Sequence, residues 1–258
     1  MTPAQNNAQN PKPIPAFKGD KETYVRSMFE DVAPRYDLLN EVLSLSQHKS
    51  WRQLTVQLAK VKAGDHCLDV CTGTGDFAID LAKTVGVSGQ VLASDFCEPM
   101  IRHGLSKVAK AEGAPIKMMV ANVEALPYPD NSFDIVTVGF GIRNVAHIEI
   151  ACQEMRRVVR PGGRVAILEF SRPLDVWYKP LIDFYLFHIL PKIGGLFSRE
   201  DAYNYLPQSM KQFVSRTELA NIMETSGLEE ILIRDLNFGT VCIHIGMKSQ
   251  FANSEKRS

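Results

Sequence analysis

Apolar and polar positions along this chain change their period near Asp65. From there to about residue 170, short apolar runs suited to strands alternate with longer segments of helical period. Strands are predicted near residues 66–71, 90–95, 116–121, 133–139 and 164–170. In a helix over 147–159, Ile148, Ala151, Met155 and Val158 fall on one stripe, and Arg160-Pro161-Gly162-Gly163 brings it to an end. Such alternation predicts a parallel sheet with helices on both faces, because each parallel crossover returns the chain through a helix.

The rhythm differs at either side of this block. Residues 21–62 read as an N-terminal helical extension, with Tyr24, Met28 and Val32 on one face and Trp51, Leu54 and Leu58 on another. Residues 1–20 are rich in Asn, Gln and Pro and hold too little apolar surface to offset the entropy of ordering, so a disordered leader is expected, and a similar tail over 249–258. The main domain is then 63–248. Within it, residues 174–214 form an insertion rich in aromatic and aliphatic side chains, expected to fold as a helical lid. The next helix opens with a capping box of Ser215 and Glu218 and stops at Gly227. Two last strands, near 228–236 and 240–247, are joined only by Asn237-Phe238-Gly239, a link short enough to permit nothing but an antiparallel pair.

Composition narrows the class. With 258 residues and 45% apolar content the chain can bury one large α/β core. Its 29 basic and 29 acidic residues balance, so no global field recruits nucleic acid or an anionic membrane. Five cysteines form no CxxC pair and sit mostly in apolar runs, which reads as reduced core thiols in a cytoplasmic protein. No apolar run approaches the roughly 18 residues of a membrane span, and the N-terminus has no signal-peptide core.

The chemistry concentrates at Leu68-Asp-Val-Cys-Thr-Gly-Thr-Gly-Asp76, an apolar strand running into a glycine turn. Gly73 and Gly75 lack the Cβ that would keep the backbone from turning sharply or lying against a ligand. Asp95 follows the second strand, where it can accept hydrogen bonds from both hydroxyls of a ribose. Gly73-x-Gly75-x-x-Ala78 also fits the loose dinucleotide fingerprint, so S-adenosylmethionine (SAM) and NAD compete. Asp69, just before the turn, either supports the loop or faces the ligand's amino-acid end. Asn122, after the third strand, either reads an adenine edge or serves as a strand-end turn residue. Five parallel strands closed by an antiparallel hairpin look like the class I SAM-dependent methyltransferase sheet, a Rossmann-like arrangement, and shift the balance towards SAM.

Longer motifs carry a more specific resemblance. They are Met28-Phe-Glu-Asp-Val-Ala-Pro-Arg-Tyr-Asp37 with Asn40, His48-Lys-Ser-Trp-Arg52, the glycine loop, Phe140-Gly-Ile-Arg-Asn-Val145, Glu154-Met-Arg-Arg-Val158, Leu168-Glu-Phe-Ser171 and Ile243-His-Ile-Gly246. From about Tyr24 to Met247 the chain resembles the ubiquinone/menaquinone biosynthesis C-methyltransferases. The resemblance places SAM contacts on Thr74, Asp95, Asn122 and Val123, the last where alanine is common. Ser46 stands where many relatives have glycine.

The implied reaction is methyl transfer from SAM to a ring carbon of a prenylated quinol, with no metal. Arg143 and Asn144 follow the fourth strand, where open α/β folds place ligands. A free guanidinium keeps its proton at a pKa above about 12, so Arg143 is read as an electrostatic stabiliser of phenolate. Proton removal then runs through water, with Tyr36, Asp37, His147 or His244 as relay and Tyr36 preferred. Cys71-Thr72 and the Asn237-Phe238-Gly239 turn look more like the menaquinone branch of that family, which implies demethylmenaquinol as substrate; the methoxylated benzoquinol of ubiquinone synthesis is the alternative. An NAD-linked oxidoreductase and a catalytically idle quinol-binding scaffold are the remoter readings. Partner expectations are peripheral contact with the inner face of a membrane, and a homodimer or association with other enzymes of quinone biosynthesis.

Overall fold

The computed structural model describes residues 21–174 and 209–250, with Trp177 and Pro180. The expected leader, most of the expected lid and the tail beyond Gln250 lie outside these residues. Seven strands form one sheet: β1 (His66–Val70), β2 (Gln90–Asp95), β3 (Ile116–Val120), β4 (Phe133–Gly139), β5 (Val159–Phe170), β6 (Leu228–Leu236) and β7 (Val241–Lys248). Their order is β3-β2-β1-β4-β5-β7-β6. β1 to β5 run parallel, and β7 is antiparallel to both of its neighbours. The chain moves outward from β1 to β3 and then returns to add β4 on the other side of β1. The reversal opens a crevice at the carboxyl ends of β1 and β4.

The helices of the described residues are α1 (Lys21–Val32), α2 (Tyr36–Leu43), α3 (Gln47–Leu58), α4 (Asp76–Val85), α5 (Glu98–Val108), α6 (Ile148–Val158) and α7 (Arg216–Thr225). Each face of the sheet has its own core. On one, Met155 and Val158 of α6 and Leu219 and Met223 of α7 pack against Val136, Val138 and Ile167. On the other, Trp51 and Val56 of α3 and Phe77 and Leu81 of α4 pack against Ile135, Leu168 and Ile243. Helices on both faces explain why β1 and β4 are almost continuously buried, where a strand with one face in solvent would alternate. The Ser215–Glu218 capping box is present, Ser215 Oγ accepting from the Glu218 amide while the Glu218 side chain accepts from the Ser215 amide.

Three features differ from the sequence reading. The inward stripe runs through Val25 and the half-buried Phe29 of α1 to Ala33 in the 3₁₀ turn that follows, one position on from Tyr24, Met28 and Val32, and Tyr24 is exposed. Both stripes are apolar at helical spacing; Met100 and Phe96, which pack beneath α1, select between them. β5 starts at Val159 because Phe133 pairs with Val159 across a register shift, so Pro161 and Gly162 lie inside the strand instead of after the helix. Of the five cysteines, all unpaired, Cys71 is only half buried and lines the crevice.

Candidate active site

The crevice is shaped first by backbone. After β1 the chain takes positive φ at Cys71 (+51°), Gly73 (+57°) and Gly75 (+88°), and after β4 at Phe140 (+57°). A left-handed conformation costs a residue with a Cβ about 1–2 kcal/mol, so Cys71 and Phe140 hold strain at the two facing strand ends. A Cβ on Gly75 would lie 2.8 Å from Val108 Cγ2, and one on Gly141 would collide with Cys71 Cβ. A Cβ on Gly104 of α5 would lie 2.6 Å from the Thr74 carbonyl oxygen, so α5 meets the glycine loop backbone to backbone there.

Two cavities share a wall of Phe29, Tyr36, Cys71, Gly139 and Phe140. The smaller, about 50 Å³, is bounded by Gly73, Asp95, Asn122, Val123 and Asn144. The larger, about 280 Å³, is bounded by Asp69, Thr74, His48, Trp51, Arg143 and Phe170. Neighbours in sequence, Arg143 and Asn144, thus face different cavities. They sit in a 3₁₀ turn over Ile142–Asn144, whose sharp pitch separates adjacent side chains.

Most polar groups around the glycine loop already have partners. Asp95 accepts from the amides of Gly73 and Cys97, both at 2.9 Å. Burial still pushes its carboxyl up to about 6 against those two hydrogen bonds. Each carboxylate oxygen keeps a further lone pair for a hydroxyl donor. Asp69 is fully buried and accepts from Thr72 Oγ1 at 2.5 Å and Thr137 Oγ1 at 2.6 Å, tying loop, β1 and β4 together. Burial pushes it up to about 7. Thr74 Oγ1 donates to Asp37 and accepts from Lys107 Nζ, which also bonds Asp37 and Asp76 at 2.7 Å each. This cluster pins α2 onto the glycine loop and α5. Asn122 Oδ1 accepts from the Glu124 amide at 2.9 Å, closing a strand-end turn while the residue still borders the smaller cavity.

The larger cavity is built from side chains. Phe140 stands 4.7 Å from Phe170 and 6.1 Å from Trp51, ring centre to ring centre, and the Arg143 guanidinium carbon lies 5.2 Å from the Phe170 ring. Arg143 Nη1 donates to Glu169 at 2.8 Å and to the Phe140 carbonyl, while its buried Nε has no partner among the described residues. Of the four candidate relays, Tyr36 alone borders both cavities. Burial raises its phenol above the ordinary value, with a hydrogen bond to Asn40 acting the other way. His147 is exposed and bonded to Glu124; His244 is buried in β7 with Nε2 donating to the Arg216 carbonyl; Asp37 is spent on Thr74 and Lys107. Sequence reasoning missed Glu169, Lys107 and Asn40 as site-shaping groups. Glu169 had a signal: an acid at the end of an otherwise apolar strand, beside the carboxyl edge.

An open sheet of this order, with a glycine turn and an acid on the next strand end facing a crevice at the switch point, defines a class I SAM-dependent methyltransferase. One solved structure with this fold, a SAM-dependent methyltransferase from Thermotoga maritima, aligns at TM-score 0.61 and 17% identity over 86% of this chain and 99% of that one. The chain belongs to the ubiE/COQ5 methyltransferase family, whose model matches residues 17–248. It is 43% identical over 230 residues to "Ubiquinone/menaquinone biosynthesis C-methyltransferase UbiE" of Geobacter sulfurreducens, covering 89% of this chain and 90% of the relative. It is 39% identical over 231 residues to a demethylmenaquinone methyltransferase of Bacillus cereus, covering 89% and 98%.

Proposed function

We propose that this enzyme methylates a ring carbon of a prenylated quinol with SAM as donor, and that demethylmenaquinol is its substrate. The observation that carries the reading is the pair of cavities meeting at Tyr36 and Phe140, one edged by acid and amide groups, the other by stacked aromatic rings and a guanidinium. The residues fit an adenosyl group: Asp95 has lone pairs for a ribose, Gly73 and Gly75 leave the loop free of side chains, and Asn122 and Val123 border the adenine end. Asp69 and Thr74 hold the loop that the methionine end would meet. When bound, SAM supplies an electrophilic methyl on sulfonium.

The chain's own residues then have three tasks. The first is to align the ring, which the Phe140–Phe170–Trp51 wall performs by stacking, since orientation is a large share of such a barrier. The second is to favour phenolate. Arg143 provides a fixed positive charge beside the cavity, and a preset charge needs no reorganisation when negative charge develops. Asn144, on the other side of the same turn, adds an amide to the wall of the smaller cavity. The third task is to move the hydroxyl proton. Tyr36 serves as a neutral relay to water; its raised pKa suits it to passing a proton and not to storing negative charge.

The tail of the quinol leaves across an apolar rim. Leu45, which borders the larger cavity, is 70% exposed, and Phe238, between the lining residues Asn237 and Thr240, is 63% exposed. No helix among the described residues is long and apolar enough to cross a membrane. Such a rim supports peripheral contact with the bilayer that holds the substrate. The relatives' names favour the menaquinone branch, with the ubiquinone precursor as the alternative. Incubation with SAM and each demethylated quinol, read by product mass, tests both: a methylated menaquinol is expected, product from the benzoquinol alone would move the enzyme to the ubiquinone branch, and absence of product from both would refute the reading.

A further inference from the structure

Glu169 is the penultimate residue of β5 and is 1% exposed. Its surroundings do not call for a carboxylate. Ile167 and Leu168 before it are fully buried, and across the ladder it faces Cys242. A buried charge is costly unless paired, and a buried pair adds little stability over an apolar replacement, so fold stability alone does not account for it. Its contacts point elsewhere. Oε1 accepts from Arg143 Nη1 at 2.8 Å and from the Phe170 amide at 2.7 Å, and Oε2 accepts from the Arg143 amide at 3.2 Å. One carboxylate grips Arg143 at both its backbone and its tip.

Resting on the quinol methyltransferase reading, we infer that Glu169 is the positioning residue for Arg143. Glu169 lines neither cavity and acts only through the guanidinium. Arginine loses much rotamer freedom when fixed, and a side chain left to wander the larger cavity would have to be ordered in every catalytic cycle. The bond to Nη1, the Phe140 carbonyl and the Phe170 ring meet that cost during folding instead. Phe140 holds left-handed backbone where its carbonyl receives Arg143, so the strain at this strand end is spent on the same task. Burial raises the Glu169 carboxyl and the Arg143 charge opposes that rise.

The test is a double-mutant cycle with Glu169→Gln, Glu169→Asp and Arg143→Ala, measuring kcat and KM on a demethylated quinol and SAM affinity by calorimetry. Losing a hydrogen bond between charged groups is expected to lower kcat in Glu169→Gln by about 30-fold, with KM and SAM affinity within about 2-fold. Glu169→Asp, which keeps the charge, should recover part of that loss, and adding Glu169→Gln to Arg143→Ala should cost less than about 3-fold more. Full kcat in Glu169→Gln, or losses that multiply in the double variant, would overturn the inference. Should Glu169→Gln fail to bind SAM, the Asp arm of the cycle decides by the same criteria. A wild-type enzyme idle on both quinols would sink the functional reading instead. In that case ¹⁵N spectra of the Arg143 guanidinium decide the positioning role: slow rotation in the wild type, averaged signals in Glu169→Gln and an intermediate rate in Glu169→Asp are expected, and identical spectra in all three would refute it.

Discussion

The two cavities that meet at Tyr36 and Phe140 are built on different principles. The smaller is shaped by main chain, through positive φ at glycines and amides donated to Asp95; the larger is shaped by side chains drawn from α2, α3, β4, β5 and the link before β7. The main-chain bonds of the smaller seat join neighbouring βα units, as in Gly73 to Asp95. A side-chain-made seat depends on elements up to about 200 residues apart lying side by side, as in the bond from Asn237 Nδ2 to Gln47 Oε1. Each principle makes its own failures under mutation.

The largest expected effect tests how the first loop is locked. Asp69 carries a carboxyl raised from 3.8 to about 7 by burial, a difference worth at most about 4 kcal/mol. Because the folded protein holds this proton more tightly than the unfolded chain, the contribution is fully present below pH 4. It is lost as pH rises towards 7. Asp69→Asn should remove that loss, so denaturant unfolding at pH 5 and pH 8 should show a smaller fall in stability for the variant than for the wild type. An equal fall in both would show that Asp69 is not the group responsible. Next comes the larger cavity. Arg143→Ala should lower kcat by about 10²–10³-fold while leaving SAM affinity within about 2-fold, as for loss of one preset stabilising donor. Steady-state kinetics with calorimetry checks both, and a matching loss of SAM binding would mean that the cavities are not separable.

Gly75→Ala follows, at about 2–3 kcal/mol of stability from left-handed strain and contact with Val108. Its melting shift should come with weakened SAM binding and an unchanged quinol KM. The smallest effect belongs to the rim. Phe238→Ser with Leu45→Ser should weaken binding to phospholipid vesicles by about 1 kcal/mol per residue or less, and spare turnover of a short-tailed quinol. Unaltered vesicle sedimentation would remove the rim from the docking surface.

Much of the fold could be read before any coordinates. The strands, the capping box at Ser215 and the antiparallel hairpin follow from periodicity and link length, which are local physics. Two apolar stripes at helical spacing competed on α1, and only Met100 and Phe96 of the packed structure chose Val25, Phe29 and Ala33. Ser46, where relatives often have glycine, lies at φ +62°, so a departure visible in sequence marked a left-handed turn. Tyr36 came up as a candidate through resemblance. His147 and His244 came up beside it, and nothing local separates the three. Their difference lies in which side of which layer they occupy.

The chain by itself determined an α/β sheet, a glycine turn suited to an adenosyl group and the strand end that carries Arg143, because these depend on residues within a few turns of one another. Only the tertiary structure decided that Arg143 and Asn144 serve different cavities, that Glu169 stands behind Arg143, and that Lys107 closes α2 onto the glycine loop. The physical reason is range: backbone conformation and periodicity are set by neighbours in sequence, whereas the pairing of buried charges is set by how layers pack.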